Sequence, residues 1–188
     1  MIYLDDDIYP VTRLTAGVIG DAGRRVFVLQ AHYGADAVSW VIHKEHALAL
    51  SRTIPRLLAD VRAEFPELEE PLVAAQPNLA LKEPPYPRFR VGSMGLGYDR
   101  VHDLVVLTLV DANAEQAAAA GALPEESAPD QVYVFATRGQ ALLLGQHVEA
   151  VVAAGRPLCP RCGDPMDDCG HFCLPPITRR KLDGLLVQ

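Results

Sequence analysis

Cysteine is absent from the first 158 residues of the chain. All four cysteines, Cys159, Cys162, Cys169 and Cys173, fall in one short stretch near the C-terminus, whereas a disulfide framework spreads them across the loops it closes. Long hydrophobic runs are missing too: none approaches the roughly 20 residues that cross a bilayer as a helix. The opening residues, MIYLDDD, are acidic where a secretory signal would be basic. Positive charge is in deficit, with 17 basic against 24 acidic residues and a net charge of −7. That balance disfavours a surface built throughout for nucleic acid or anionic lipid. Together these absences predict a cytoplasmic chain without membrane attachment, in which clustered cysteines read as metal ligands.

What is present is the composition of a globular domain: 188 residues, 49% hydrophobic and 22% charged, enough for one full core or two small fused ones. Three apolar, β-branched stretches at 13–20, 25–33 and 37–43 are separated by Asp-Ala-Gly and Gly-Ala-Asp, the composition of hairpin turns. Over 44–65 the apolar residues Ala47, Leu50, Ile54, Leu57, Leu58, Val61 and Phe65 change to three- and four-residue spacing. That is one face of a helix, which Pro55 is expected to kink or split. Prolines 66, 71, 77, 84, 85 and 87 mark 66–88 as a connector with little regular structure.

The pattern then restarts, with strands at 89–98, 101–110 and 131–136. Residues 111–130 are alanine-rich, carry five acidic and no basic side chains, and read as a mobile, solvated loop. Thr137-Arg138-Gly139-Gln140 matches a capping box for a helix reaching about Ala154, with Gly155 placed to end it. At an offset of 94 residues, Val38 falls on Val132, Ala47 on Ala141, Leu50 on Leu144, Ile54 on Val148 and Leu58 on Val152. We therefore expect an α+β fold. Duplicated βββα halves, about 11–65 and 89–155, form a mainly antiparallel sheet or open barrel with two packed helices. A zinc knuckle at 156–175 and a flexible tail at 176–188 complete the expected organisation.

The knuckle reads RPLCPRCGDPMDDCGHFCLP. Cys159 and Cys162 have the Cys-x-x-Cys spacing that presents two thiolates to one zinc ion on a tight turn. Cys169, His171 and Cys173 are three candidates for the two remaining places. Either choice fills all four positions of a tetrahedron with protein, leaving none for water or substrate, so the expected role of zinc is structural.

This segment resembles the C-terminal signature of a bacterial family known as domain of unknown function 3090. The matching residues are Cys159-Pro160, Cys162-Gly163, Pro165, Asp167, Gly170-His171 and Cys173. Gly17 to Gly20, Arg25, Phe27, Leu29-Gln30-Ala31, Phe89-Arg90-Val91-Gly92 and Arg156-Pro157 extend the resemblance over most of the chain. The resemblance implies Cys159, Cys162, His171 and Cys173 as the zinc ligands, and Cys169, which departs from the pattern, as the alternative to His171. It implies no activity.

Other constellations have simpler readings. Gly92-Ser93-Met94-Gly95 lacks the residue a nucleophile elbow places between glycine and serine, and reads instead as a strand that lets another backbone approach. Gly17, Gly20 and Gly23 precede a strand, not the helix of a dinucleotide fingerprint. His32, His43 and His46 are the histidines available for acid–base work before the knuckle, with His43 expected near the start of the first helix and His46 exposed on its first turn. Arg24, Arg25, Arg88 and Arg90 interleave with Phe27, Tyr33 and Phe89, as on a face that stacks single-stranded bases, although residues 1–155 carry a net −8.

With no intact catalytic motif, no catalytic residue is assigned. The expected function is a non-enzymatic binding or adaptor module with a protein partner. The alternatives are a small hydrolase or transferase using His32, His43 or His46 between the halves, and single-stranded nucleic-acid binding.

Overall fold

The computed structural model describes residues 11–20, 25–74, 78–120 and 131–154, with 161 and 166. Cys159, Cys162, Cys169, His171 and Cys173, the tail at 176–188 and residues 121–130 lie outside them. The chain divides into two compact units, Met1–Val152 and Ala153–Gln188.

The first unit is an α+β assembly around a six-stranded sheet in the order β1-β2-β3-β4-β5-β6. The strands are β1 (Arg13–Ile19), β2 (Val26–Tyr33), β3 (Asp36–Ile42), β4 (Pro87–Asp99), β5 (Leu104–Asp111) and β6 (Gln131–Thr137). Neighbours are antiparallel except β3 and β4, which run parallel through a short, bulged contact at Ser39 with Pro87 and Val41 with Arg90. The sheet is open, but its ends approach: Val11 N–H donates to the Phe135 carbonyl at 3.3 Å. Gln140 Nε2 reaches the carbonyls of Val11 and Thr12 at 3.0 and 3.2 Å.

Period-two alternation decides which face is dry. Leu14, Ala16, Leu29, Ala31, Trp40 and Ile42 stand on one face of β1–β3 and join the core with Leu107, Leu109, Val132 and Val134. Helices α1 (Lys44–Glu64) and α3 (Arg138–Ala153) close this face with Ala47, Leu50, Ile54 and Val61, and with Ala141, Leu144, Val148 and Val152. Each fully buried leucine, isoleucine or valine contributes about 1.5–3 kcal/mol. At Gly145 helix α3 meets α1 closely enough that a Cβ would stand 3.5 Å from the Ile54 side chain, an ordinary van der Waals contact.

Helix α1 runs unsplit across Pro55. The proline is exposed, as are Arg52, Thr53 and Arg56 around it, so its ring sits on the wet side of the helix. The capping box at α3 forms as expected: Gln140 N–H donates to Thr137 Oγ1 at 3.2 Å, and Thr137 N–H donates to Gln140 Oε1 at 2.9 Å.

A third helix, α2 (Ala112–Ala119), occupies the first part of what the sequence presents as an acidic loop. Alanine has the highest helix propensity, and Asp111 Oδ1 accepts from Asn113 N–H at 2.9 Å at its start. Glu115 sits in the first turn, where the helix dipole favours negative charge. The acidity that points to solvation thus lies where a helix start accepts it. Gly92 admits the backbone of α2, as a Cβ there would stand 2.8 Å from Ala112 Cα.

Candidate functional site

The three histidines do not converge. His32 on β2 stands opposite Ala37, whereas Ile42, just before His43, stands opposite Phe27. Five residues of strand, roughly 17 Å, separate these positions. His43 and His46 do meet, with ring centroids 5.6 Å apart in an edge-on contact at the start of α1. His43 occupies the N-cap position without making a side-chain cap bond.

His46 is half-buried rather than exposed, because β4 packs on α1 and brings the Gly92 backbone to its ring. It hydrogen-bonds the Gly92 backbone, while its buried Nδ1 has no partner. Burial, and then the neighbouring His43, hold its pKa below the ordinary histidine value against the opposing pull of Glu45 and Glu115. It opens onto a groove of about 360 Å³ between α1 and β4, lined also by Leu50, Leu57, Met94, Leu96 and Asp60. An uncharged imidazole with a free ring nitrogen can exchange a proton.

On the opposite face of β1–β3, a polar row crosses three strands: Thr15 stands opposite Gln30, and Gln30 opposite Ser39. All three are buried. The connector lies along this row. Thr15 Oγ1 donates to the Leu79 carbonyl at 2.5 Å, Arg13 Nη1 to the Asn78 carbonyl at 3.1 Å, and Lys82 Nζ to the Ala35 carbonyl at 2.9 Å. Leu81 packs where a Cβ on Gly17 would come within 2.8 Å. Sequence reasoning passed over this row. Its signal is the parity of Arg13, Thr15, Gln30, His32 and Ser39, polar positions alternating with apolar ones in otherwise buried strands.

A second polar group pins the β4–β5 turn to α3. Arg138 Nε and Nη2 donate to the two Asp103 carboxylate oxygens at 2.7 and 3.0 Å. Nη2 also reaches the Glu69 carbonyl at 2.8 Å. Tyr98 donates its hydroxyl to Asp103 Oδ1 at 2.7 Å. The Arg138 guanidinium holds the Asp103 carboxyl below the usual carboxylate range, and burial with the Asp103 bond pushes Tyr98 up to about 12. Asp103 adopts φ +54°, a left-handed conformation that Asp tolerates better than most residues.

Among the described residues, no group of three or more His, Cys, Asp or Glu side chains is placed to hold a metal ion. None of the described helices is long and apolar enough to cross a membrane.

No curated protein and no solved structure matches the chain. A family model described as "Protein of unknown function (DUF3090)" matches it over residues 7–173, which takes in every strand and helix above and the cysteine cluster. The chain belongs to the DUF3090 family.

Proposed function

We propose that the chain is a non-enzymatic binding or adaptor module made of two βββα halves, with a C-terminal segment organised by a structural zinc ion and a protein as its partner. The observation that carries this reading is how the core uses its polar groups. Arg13, Gln30 and His32 hold the connector, and Tyr98, Asp103 and Arg138 hold a turn to a helix. Groups bonded in this way fix a shape for recognition.

Cys159, Cys162, His171 and Cys173 supply the thiolate and imidazole donors that tetrahedral zinc takes, with Cys169 the alternative to His171. The family match runs through residue 173 and so includes all of them. Zinc there would tie the segment together and leave no open coordination position.

Two registers support the duplication. Val41, near the end of β3, pairs with Arg90 in β4, and Phe135, 94 positions later, accepts the bond from Val11 just ahead of β1. The third strand of each half thus meets the start of the other half. The equivalent helix positions Ala47 and Ala141, Leu50 and Leu144, and Ile54 and Val148 are all buried.

Gentle purification of the tagged full-length chain from its own cell extract tests the reading. The expected result is a stoichiometric protein partner that is lost with Cys159→Ser and Cys162→Ser. A second reading, a small hydrolase or transferase, is favoured by His46, which lines the α1–β4 groove and has an unpartnered buried Nδ1. Recovery of the chain alone, together with ester, phosphoester or peptide turnover abolished by His46→Ala, would establish that reading instead. Co-purified single-stranded nucleic acid released steeply by salt would also displace the adaptor reading.

A further inference from the structure

His32 stands at the junction of the sheet and the connector. Its Nε2 is 2.8 Å from Gln30 Oε1, and Arg13 Nη2 approaches both ring nitrogens, at 2.6 Å from Nε2 and 3.3 Å from Nδ1. The Gln30 amide has one orientation, because Lys82 N–H donates to Oε1 at 2.7 Å while Nε2 donates to Ser39 Oγ and the Lys82 carbonyl at 3.0 and 3.1 Å. With His32 donating from Nε2 to Gln30, Nδ1 at 3.3 Å is the ring's acceptor for Arg13 Nη2, while the same Nη2 crowds the protonated Nε2 at 2.6 Å. Arg13 in turn donates from Nη1 to the Asn78 carbonyl. The chain of contacts is continuous from the imidazole lone pair to the first residue of the strapped segment.

We propose that His32 is the latch of a pH-sensitive strap: segment 78–82 is held on the β1–β3 face while His32 is neutral and is released from its Asn78 end when His32 takes up a proton. An imidazolium has no lone pair, so Arg13 loses its acceptor. The charged groups acting on His32 are Arg13 on β1 and Lys82 on the connector, both cationic, so the new charge repels both residues that anchor the strap. Burial and these two cations hold the pKa below the ordinary 6.5, which places release on the acid side of neutrality. The Gln30 bond to His32 survives protonation, since Nε2 keeps its proton, so the Asn78 end loosens before the Lys82 end. Release bares the Thr15, Gln30 and Ser39 row, whose groups bond the main chain of an extended segment.

Amide hydrogen exchange on the full-length protein at about pH 7.5 and about pH 5, corrected for intrinsic rates and read beside the NMR titration of each histidine, tests the latch. The expected result is a fall of at least about tenfold in the protection of 78–82 that follows the His32 titration while β2 and β3 stay protected. His32→Gln should abolish the response and His46→Gln should keep it. Strap protection unchanged by pH in the natural chain overturns the proposal. So does an equal loss in His32→Gln, or a response that disappears in His46→Gln. If His32→Gln does not fold, the natural chain and His46→Gln still decide the matter.

Discussion

Lys82 and Gln30 bond to each other twice, main chain to side chain: Lys82 N–H donates to Gln30 Oε1 at 2.7 Å, and Gln30 Nε2 donates to the Lys82 carbonyl at 3.1 Å. A buried glutamine amide here does what a neighbouring strand would do, satisfying both main-chain groups of a segment that belongs to no sheet. Gln30→Leu keeps the volume and removes both bonds, leaving those groups and Ser39 without partners. The expected loss is about 1–3 kcal/mol in urea unfolding, with a larger effect than Ser39→Ala. An unchanged midpoint would show that the connector does not depend on this contact.

Asp103→Asn isolates the charge of the pin, since asparagine also tolerates a positive φ. Asp103 is 43% exposed and Arg138 12%, so solvent screening limits the expected loss to roughly 1 kcal/mol, smaller again at high salt. Because the folded Asp103 pKa is depressed below 3.8, the contribution is present above that value and disappears as pH falls through the folded pKa. Tyr98, pushed up to about 12, should ionise at lower pH in the variant, which a spectrophotometric titration reads directly. A Tyr98 titration identical in both proteins would remove Asp103 as the cause.

For His46 the sign is the same, in a higher pH window and from a different cause, burial of the ring. Its folded pKa lies below 6.5, so the unfolded chain binds the proton more readily and stability rises with pH across the interval between the two values. The contribution is complete above 6.5 and is lost as pH falls toward the folded pKa. His46→Gln should flatten the dependence of stability on pH from about 5 to about 7 without removing the share due to His32. An unaltered slope would contradict the lowered pKa of this ring.

Two glycines predict opposite outcomes. A Cβ on Gly139 would stand 1.8 Å from the Leu72 carbonyl oxygen and 2.8 Å from its carbon. Gly139→Ala must therefore push the connector off α3, at a loss of about 1–3 kcal/mol. Around Gly97 a Cβ meets nothing within 4 Å, and Gly97→Ala should change stability by less than about 0.5 kcal/mol. Equal effects at the two sites would mean that the connector gives way freely at Leu72.

The elements that sequence periodicity placed well are those whose own residues decide them. Ala47, Leu50, Ile54 and Val61 share one helical face, and Thr137 with Gln140 closes a local cap. Helix α2 was obscured because Ala112 to Ala119 carries no apolar stripe and borders acidic residues; its position depends on Gly92, about 20 residues earlier in sequence. The hydrogen bonds of the strap join residues 47 to 65 positions apart, and no local pattern says that Thr15 will meet Leu79. His46 illustrates the same limit, since its ring meets the Gly92 backbone of β4, 46 residues later in sequence. The cysteine cluster, by contrast, is read from sequence spacing alone, since Cys159 and Cys162 are a Cys-x-x-Cys pair whatever the rest of the chain does.

The central claim is a protein-saturated structural zinc on Cys159, Cys162, His171 and Cys173. The measurement that tests it most directly is metal content by mass spectrometry on the purified full-length chain, paired with thermal unfolding before and after chelation. The account predicts one zinc per chain, a lower Tm without it, and loss of both metal and stability with Cys159→Ser or Cys162→Ser. Full stability after complete removal of zinc, or a chain that carries no stoichiometric metal, would contradict it.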